Sequence, residues 1–281
     1  MAAGWRNPTF IGSGAIALWA LLALLSRAAA SLPPLQLTAM AFAVSGLAGL
    51  LWLGRRGRLA VLRQRPIVWL HGVGGLFGYH ALFFAALANA PAAEANLLNY
   101  TWPLLIVLFS APILGLRLSP RHVIGVAAGM AGSLLLLARG TNFSPEALFG
   151  YACSLGAAIT WALYSVLARR LAAVPTEAVV GFCAASAILA ATAHFIFEPT
   201  IVPTLPVTGW VLLLGLGPVG PAFLLWDIGM KRGDPRLLGT LAYATPVAST
   251  VVLGLAGYAS LSLATLAAAG LVAAGGVVAS R

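Results

Sequence analysis

Asn99-Tyr100-Thr101-Trp102-Pro103 sits inside the stretch AEANLLNYTWPLL (residues 93–105), where amides, two aromatic rings and a proline interrupt a tract of Leu, Ala and Val. On a helix, Asn96, Asn99, Tyr100 and Pro103 recur at i, i+3, i+4 and i+7 and so share one face. A polar stripe on an apolar helix needs water or partners to face. The stretch also has an echo: Tyr100-Thr101-Trp102-Pro103 lines up with Tyr243-Ala244-Thr245-Pro246, a shift of 243 − 100 = 143 residues. The same shift lays Gly132 on Gly275 and the Pro91 turn on the Asp234-Pro235 turn. Near the start, Trp19-Ala20-Leu21 and Arg27 match Trp161-Ala162-Leu163 and Arg169 at a shift of 142. Two copies of one unit therefore follow each other, residues 1–138 and 143–281.

Composition says where such a unit lives. Of the 281 residues, 61% are hydrophobic and 8% charged, with a mean hydropathy of +0.98. A soluble domain carries about 25% charged residues, so this chain cannot coat a surface with water-facing groups and belongs in a bilayer. The apolar segments 9–26 and 212–226 show no alternation of period two, which excludes a barrel and leaves helices. Ten spans are expected: 9–30, 35–53, 67–88, 93–114 and 122–138, then 147–168, 176–197, 207–230, 237–256 and 261–280. The apolar run of the first is too long for a cleaved leader, so it is read as a retained helix.

The formal net charge is +10. If the N-terminus is cytoplasmic, the inner side receives Arg6, Arg55, Arg56, Arg58, Arg63, Arg65, Arg117 and Arg121, and then Arg169, Arg170, Lys231, Arg232, Arg236 and Arg281. Only Arg27 and Arg139 fall outside. Cytoplasmic loops favour Lys and Arg, so both termini are expected on the cytoplasmic side of an inner membrane. The surplus is then a topology signal and a contact for anionic lipids, with no nucleic acid required. Five spans followed by five more put the second copy into the membrane upside down. Inverted repeats of this kind characterise transporters, whose site lies near the midplane where the halves meet.

Taken together, ten spans in two fives, a Trp-Ala and a basic residue on the first helix of each half, and a Tyr-x-x-Pro on each fourth helix resemble the EamA branch of the drug/metabolite transporter superfamily. The likeness is to its bacterial exporters of aromatic and other neutral amino acids. It covers essentially the whole chain and implies a ten-helix inverted-repeat basket, all α, around a central cavity through which small metabolites leave the cell.

The residues themselves suggest what lines that cavity. His80 lies about midway along the third span, beside an aromatic ridge of Tyr79 and Phe83. It either bonds to a neighbouring helix or faces a cavity; Asn96, Asn99 and Tyr100 on the next helix favour the cavity. Trp102 and Trp161 sit well inside their spans, and Tyr164 and Ser165 cluster with Trp161. Trp19, the repeat partner of Trp161, is a cavity residue or an interface anchor. Tyr243 and Thr240 complete the ring from the second half, unless Tyr243 only packs helices. Pro103 and Pro246 each remove a backbone donor, as inert kinks or as hinges, and Gly217-Pro218 makes the eighth span the most interruptible.

The expected activity is export of aromatic or hydrophobic amino acids, and of similar neutral or zwitterionic metabolites, by alternating access and facilitated diffusion. The partners are that small-molecule substrate and the membrane lipids, and the protein is read as a monomer without cofactor or metal. Asp227 is expected to pair with Lys231 at the cytoplasmic edge, while Glu94, Glu146, Glu177 and Glu198 fall at span ends. No carboxylate is expected at the midplane, as a proton-coupled exporter of drug cations wants. That exporter is the alternative, with His80 its one proton carrier. An intramembrane enzyme finds no nucleophile–base pair, no metal-ligand spacing and no catalytic motif here. Cys153 and Cys183 read as small hydrophobes.

Overall fold

The computed structural model describes residues 7–138, 141–258 and 262–280. Among the described residues there are ten helices long and apolar enough to cross a membrane. In the first half they are α1 (Pro8–Ala28), α2 (Pro34–Arg55), α3 (Pro66–Asn89), α4 (Ala92–Leu114) and α5 (Pro120–Leu137). In the second half they are α6 (Pro145–Leu171), α7 (Ala178–Phe197), α8 (Leu205–Arg232), α9 (Pro235–Leu255) and α10 (Leu263–Ser280). No strand occurs among the described residues. Six of these helices begin on a proline, whose fixed φ suits the first turn and whose missing N–H would be unsatisfied there anyway. Hydropathy alone starts those spans one or two residues later. Arg6, Arg139, Gly140, Leu261 and Arg281 lie outside the described residues.

Helix pairing expresses the inverted repeat. α2 packs on α7, α4 on α9 and α5 on α10, while α1 packs on α8 and α3 on α6. With α6 to α10 taken as second copies of α1 to α5, the first three pairs map onto themselves and the last two onto each other. The fold is two inverted five-helix halves about a pseudo-twofold axis. Lipid offers no hydrophobic drive between helices, so close approach has to come from small residues. A Cβ on Gly12 of α1 would lie 2.7 Å from the Cα of Gly229 in α8. One on Gly125 of α5 would lie 2.7 Å from the carbonyl oxygen of Gly275 in α10. Leu47, Leu51, Leu70, Ile188, Phe195 and Leu266 point outward and are exposed, the apolar belt that a bilayer covers.

The two ends of the bundle are chemically distinct. At one end Arg58 pairs with Glu177 at 2.7 Å, and Arg236 donates to the carbonyl of Arg117 at 2.7 Å. Arg169 donates to the carbonyl of Gly233, and Arg170 to that of Ile113. At the other end Glu198 accepts from the backbone N–H groups of Leu35 (2.9 Å) and Gln36 (3.1 Å), capping α2. There Glu94, a buried residue in the first turn of α4, accepts from the N–H of Asn142. The sixteen basic residues less Arg6, Arg139 and Arg281 leave thirteen described; all but Arg27 gather at the first end. That end is the arginine end.

Four helices are interrupted near mid-depth: α1 at Leu21, α4 at Tyr100 and Thr101, α9 at Tyr243, and α8 by a π-helical turn over Gly215–Val219. The breaks in α4 and α9 are repeat equivalents. Each precedes a proline, Pro103 or Pro246, which withholds the N–H that the carbonyl four residues earlier would have accepted. Interruptions at depth are tolerated where they line a cavity or are covered by protein.

Candidate functional site

The interrupted segments of α1, α4, α8 and α9 meet the continuous α3 and α6 around a central cavity of about 100 Å³. Its walls are aromatic. Trp19, Trp102 and Trp161 line it, with Trp19–Trp161 ring centroids at 5.6 Å and Trp102–Trp161 at 6.3 Å. Trp226 closes the floor, 5.1 Å from Trp19 and 5.9 Å from Trp102. Phe223 lies 5.7 Å from Trp161. Two indole N–H groups lock this arrangement: Trp226 donates to Ser165 Oγ at 3.0 Å, and Trp19 donates to the Pro218 carbonyl oxygen at 3.0 Å.

Polar atoms are few and specific. Asn99 Nδ2 donates to Tyr79 Oη at 3.1 Å, leaving the buried Asn99 Oδ1 without a partner in the protein. Thr245 Oγ1, on the opposite half, is likewise buried and unsatisfied. His80 Nδ1 lies 2.7 Å from the carbonyl oxygen of Leu76. A carbonyl only accepts, so Nδ1 carries the proton and Nε2 of the neutral ring keeps its lone pair. The cavity thus offers acceptors in Asn99 and His80 Nε2, and hydroxyl donors in Tyr79, Tyr100 and Thr245, all without a fixed charge. Buried polar groups left unmatched cost about 1–3 kcal/mol each, so this set is complementary to a ligand bearing both donors and acceptors.

One side of the cavity is open. A vestibule of about 420 Å³ shares Leu22, Tyr79, His80 and Val219 with it and runs past Phe42, Phe83 and Phe84 to Ala30, Leu32 and Pro34, away from the arginine end. The other side is shut. Beyond Trp226, Asp227 pairs with Lys231 at 2.8 Å. Thr176 Oγ1 donates to Asp227 at 2.6 Å, and Lys231 donates to the carbonyl oxygen of Val174 at 2.9 Å. The expected i,i+4 pair forms, but it is buried rather than solvated, because the turn between α6 and α7 folds over it.

Of the residues singled out from the sequence, Tyr79, His80, Asn99, Tyr100, Trp102 and Trp161 come together on the cavity, with Pro218 in its wall and Phe83 in the vestibule. Others lie elsewhere: Thr240 is buried off the cavity and donates to the carbonyl oxygen of Arg236 at 3.0 Å. The Asn96 amide turns back to the carbonyl of Ala92 at 2.8 Å, because that carbonyl is one helical turn behind it. Tyr164 stacks on His71 at 4.9 Å, one turn beyond Trp161 toward the arginine end. Tyr243 is fully buried among Val107, Val126 and Val272, against Gly129, so it packs helices. Pro103 and Pro246 follow the breaks in α4 and α9, and Gly217 lies in the π-helical turn.

Phe223, Trp226 and Thr245 escaped the sequence reading although a signal existed. The shift of 143 residues carries His80 to Phe223, Phe83 to Trp226 and Trp102 to Thr245. The register found on the fourth helix had only to be applied to the third.

The model of the EamA-like transporter family matches the chain twice, over residues 9–138 and 148–281. The chain is 51% identical over 278 residues to the aromatic amino acid exporter YddG of Ancylobacter novellus, covering 98% of this chain and 97% of that one. It is 30% identical over 225 residues to the pseudopaline exporter CntI of Pseudomonas aeruginosa, covering 79% and 76%. It is 29% identical over 203 residues to the threonine/homoserine exporter RhtA of Escherichia coli, covering 70% and 64%. A solved crystal structure superposes with a TM-score of 0.93 at 50% identity, over 97% of this chain and 96% of that one.

Proposed function

The chain belongs to the EamA-like transporter family, a multi-pass membrane transporter rather than an enzyme, and from that premise we propose that it exports aromatic and hydrophobic amino acids and related zwitterionic metabolites. One observation carries the reading. The central cavity combines three tryptophan rings with unsatisfied polar atoms from both halves, Asn99 Oδ1 and Thr245 Oγ1, and a histidine acceptor. An α-ammonium group needs acceptors such as Asn99 Oδ1 and His80 Nε2; an α-carboxylate needs the hydroxyl donors of Tyr79, Tyr100 and Thr245. A flat apolar side chain is matched by Trp102, Trp161 and Phe223. Because most of the wall is apolar, selectivity is broad: one methylene changes binding by only about 1–3 kcal/mol. The names of the similar exporters agree with cargo of this class.

Alternating access is supported by the asymmetry of equivalent helices. His80, Phe83 and Phe84 of α3 line the open vestibule, whereas their repeat partners Phe223, Trp226 and Asp227 of α8 are buried, running from the cavity wall into the closed side. Exchange of these two environments between the halves, residues 1–138 and 143–281, turns the cavity to face the other side. The interruptions at Pro103, Pro246 and Gly217-Pro218 are the hinges. With the arginine end cytoplasmic, and with it both termini, the protein stands in the inner membrane open to the outside. The buried carboxylate of Asp227, next to the floor of the cavity, is already paired with Lys231, which favours facilitated diffusion over proton coupling.

Counterflow of labelled phenylalanine in proteoliposomes, with and without a pH gradient, tests both parts. Equilibration at the same rate under either condition is the expected outcome. Lack of counterflow with every aromatic and aliphatic amino acid removes the cargo assignment, and accumulation driven by the gradient removes the facilitative one.

A further inference from the structure

A second cavity lies outside the transport path. It is an apolar crevice of about 180 Å³ between α2, α7 and α8, walled by Ser45, Gly49, Val180, Cys183 and Leu224 and backed by the π-helical turn at Gly215 and Gly220. It opens outward, because Trp52, Leu216 and Pro221 on its rim are exposed on the side that a bilayer covers. It also has a direction. Ser45, Ala48, Gly49 and Trp52 form one stripe of α2, about 10 Å long, which runs from mid-depth to the arginine end. Val179 and Val180 from the start of α7 flank the end near Trp52, and Cys183 the deeper end.

At that mouth the apolar stripe meets positive charge. The Arg56 guanidinium sits over the Trp52 ring, 4.8 Å from its centroid, and Arg55 is exposed beside it. At the start of α7, Glu177 is occupied by Arg58 at 2.7 Å, and among the described residues no ion pair to Arg56 is found. An apolar slot a few methylenes long that ends under an arginine matches one kind of membrane molecule, an acyl chain bearing an anionic headgroup.

We propose that this crevice is a binding site for an anionic phospholipid of the leaflet at the arginine end, with the phosphate held by Arg56 and one acyl chain seated along Ser45 to Trp52 against the π-helical turn. A zwitterionic phospholipid also fills the slot, but its ammonium group offsets the phosphate charge and is repelled by Arg55 and Arg56. The occupied crevice abuts Gly215 and Gly220, where α8 presses on Val44 and Ser45 of α2, so the lipid also props the most irregular segment of the fold. The proposal rests on the family reading only for the membrane setting. Its readout is lipid retention rather than transport, and it stands or falls apart from the identity of the cargo.

Native mass spectrometry of the full chain, purified in detergent, stripped of lipid and titrated with phosphatidylglycerol or phosphatidylcholine of the same acyl chains, provides the test. The wild type is expected to retain one phosphatidylglycerol at about fivefold lower concentration than phosphatidylcholine, the factor corresponding to about 1 kcal/mol per surface arginine. Arg56→Gln is expected to erase that preference. Ala48→Phe, which fills the slot from α2, is expected to reduce retention of both lipids; Leu224→Phe fills it from α8 and serves where the first variant does not fold. Equal retention of the two lipids by the wild type overturns the proposal. So does unchanged retention of phosphatidylglycerol in Arg56→Gln, or in the slot-filling variant.

Discussion

The indole of Trp19 donates its N–H to the carbonyl oxygen of Pro218 at 3.0 Å, across 199 residues of sequence. This bond joins α1 next to its break to the π-helical turn of α8, and both residues line the central cavity. Pro218 lies inside the π-helical turn, and the indole gives its carbonyl a side-chain donor in an apolar surround.

Trp19→Phe keeps an aromatic ring but leaves that carbonyl without its donor. The expected penalty is about 1–3 kcal/mol, read as a lower midpoint of thermal unfolding in detergent. An unchanged midpoint would mean that water or another group takes the place of the indole.

Trp161→Ala removes the ring that contacts Trp19 at 5.6 Å and Tyr79 at 5.4 Å. Aromatic pairs contribute about 0.5–1.5 kcal/mol each beyond their buried area, so half-saturation for phenylalanine should rise about tenfold. Half-saturation for small aliphatic cargo should rise less. Equal loss for both cargoes would argue that the residue holds the fold rather than the ligand.

Asn99→Ala deletes the unsatisfied Oδ1 together with the bond to Tyr79. Counterflow of phenylalanine should fall, while a descarboxy or deamino analogue discriminates which end of the zwitterion the amide serves. If Oδ1 accepts from the ammonium group, the deamino analogue loses nothing further in the variant.

Asp227→Asn removes the countercharge and leaves the buried Lys231 ammonium with neutral acceptors such as the Val174 carbonyl. Removing one partner of a buried ion pair costs about 3–5 kcal/mol, and the double variant Asp227→Asn/Lys231→Met should recover most of it. Both are read by thermal unfolding. The same latch shuts the arginine end, so the double variant should also admit thiol reagents from that side to a cysteine installed at Phe223.

Asp234 lies in the turn between α8 and α9. Burial by itself would raise its carboxyl, but hydrogen bonds from the Arg236 side chain (3.0 and 2.8 Å) and from the Arg236 backbone (2.9 Å) hold it below the usual carboxylate range. A depressed folded-state pKa contributes stability above the unfolded value of about 3.9 and loses it as pH falls through the folded value. The destabilisation by Asp234→Asn should therefore be full at pH 7 and fade only in strong acid. A penalty that is constant with pH would show that the side-chain geometry, not the charge, is what matters at this cap.

How much of this was legible beforehand differs from residue to residue. The ten helices and their inverted repeat were, because each rests on local hydropathy or on a repeat visible within one chain. Trp102, Trp161 and Asn99 were too, since polar and indole groups at depth stand out against Leu and Ala. Asn96 and Tyr164 share helix faces with cavity residues, yet Asn96 is turned back on its own helix and Tyr164 lies beneath the floor. Helical periodicity gives the azimuth of a side chain but not which neighbour meets it at that depth. Asp227 was read as an edge pair because nothing local announces that Thr176 and Val174 fold over it.

The sequence by itself determined a helical membrane protein made of two inverted halves, since apolar length and repeat register are properties of the chain alone. Only the tertiary structure decided that the cavity opens away from the arginine end and that Tyr243 stands off it. The physical reason is that α1 meets α8 and α3 meets α6 across the two halves. Which of two equivalent crossings is closed then depends on packing between residues far apart in the chain, and no local pattern encodes it.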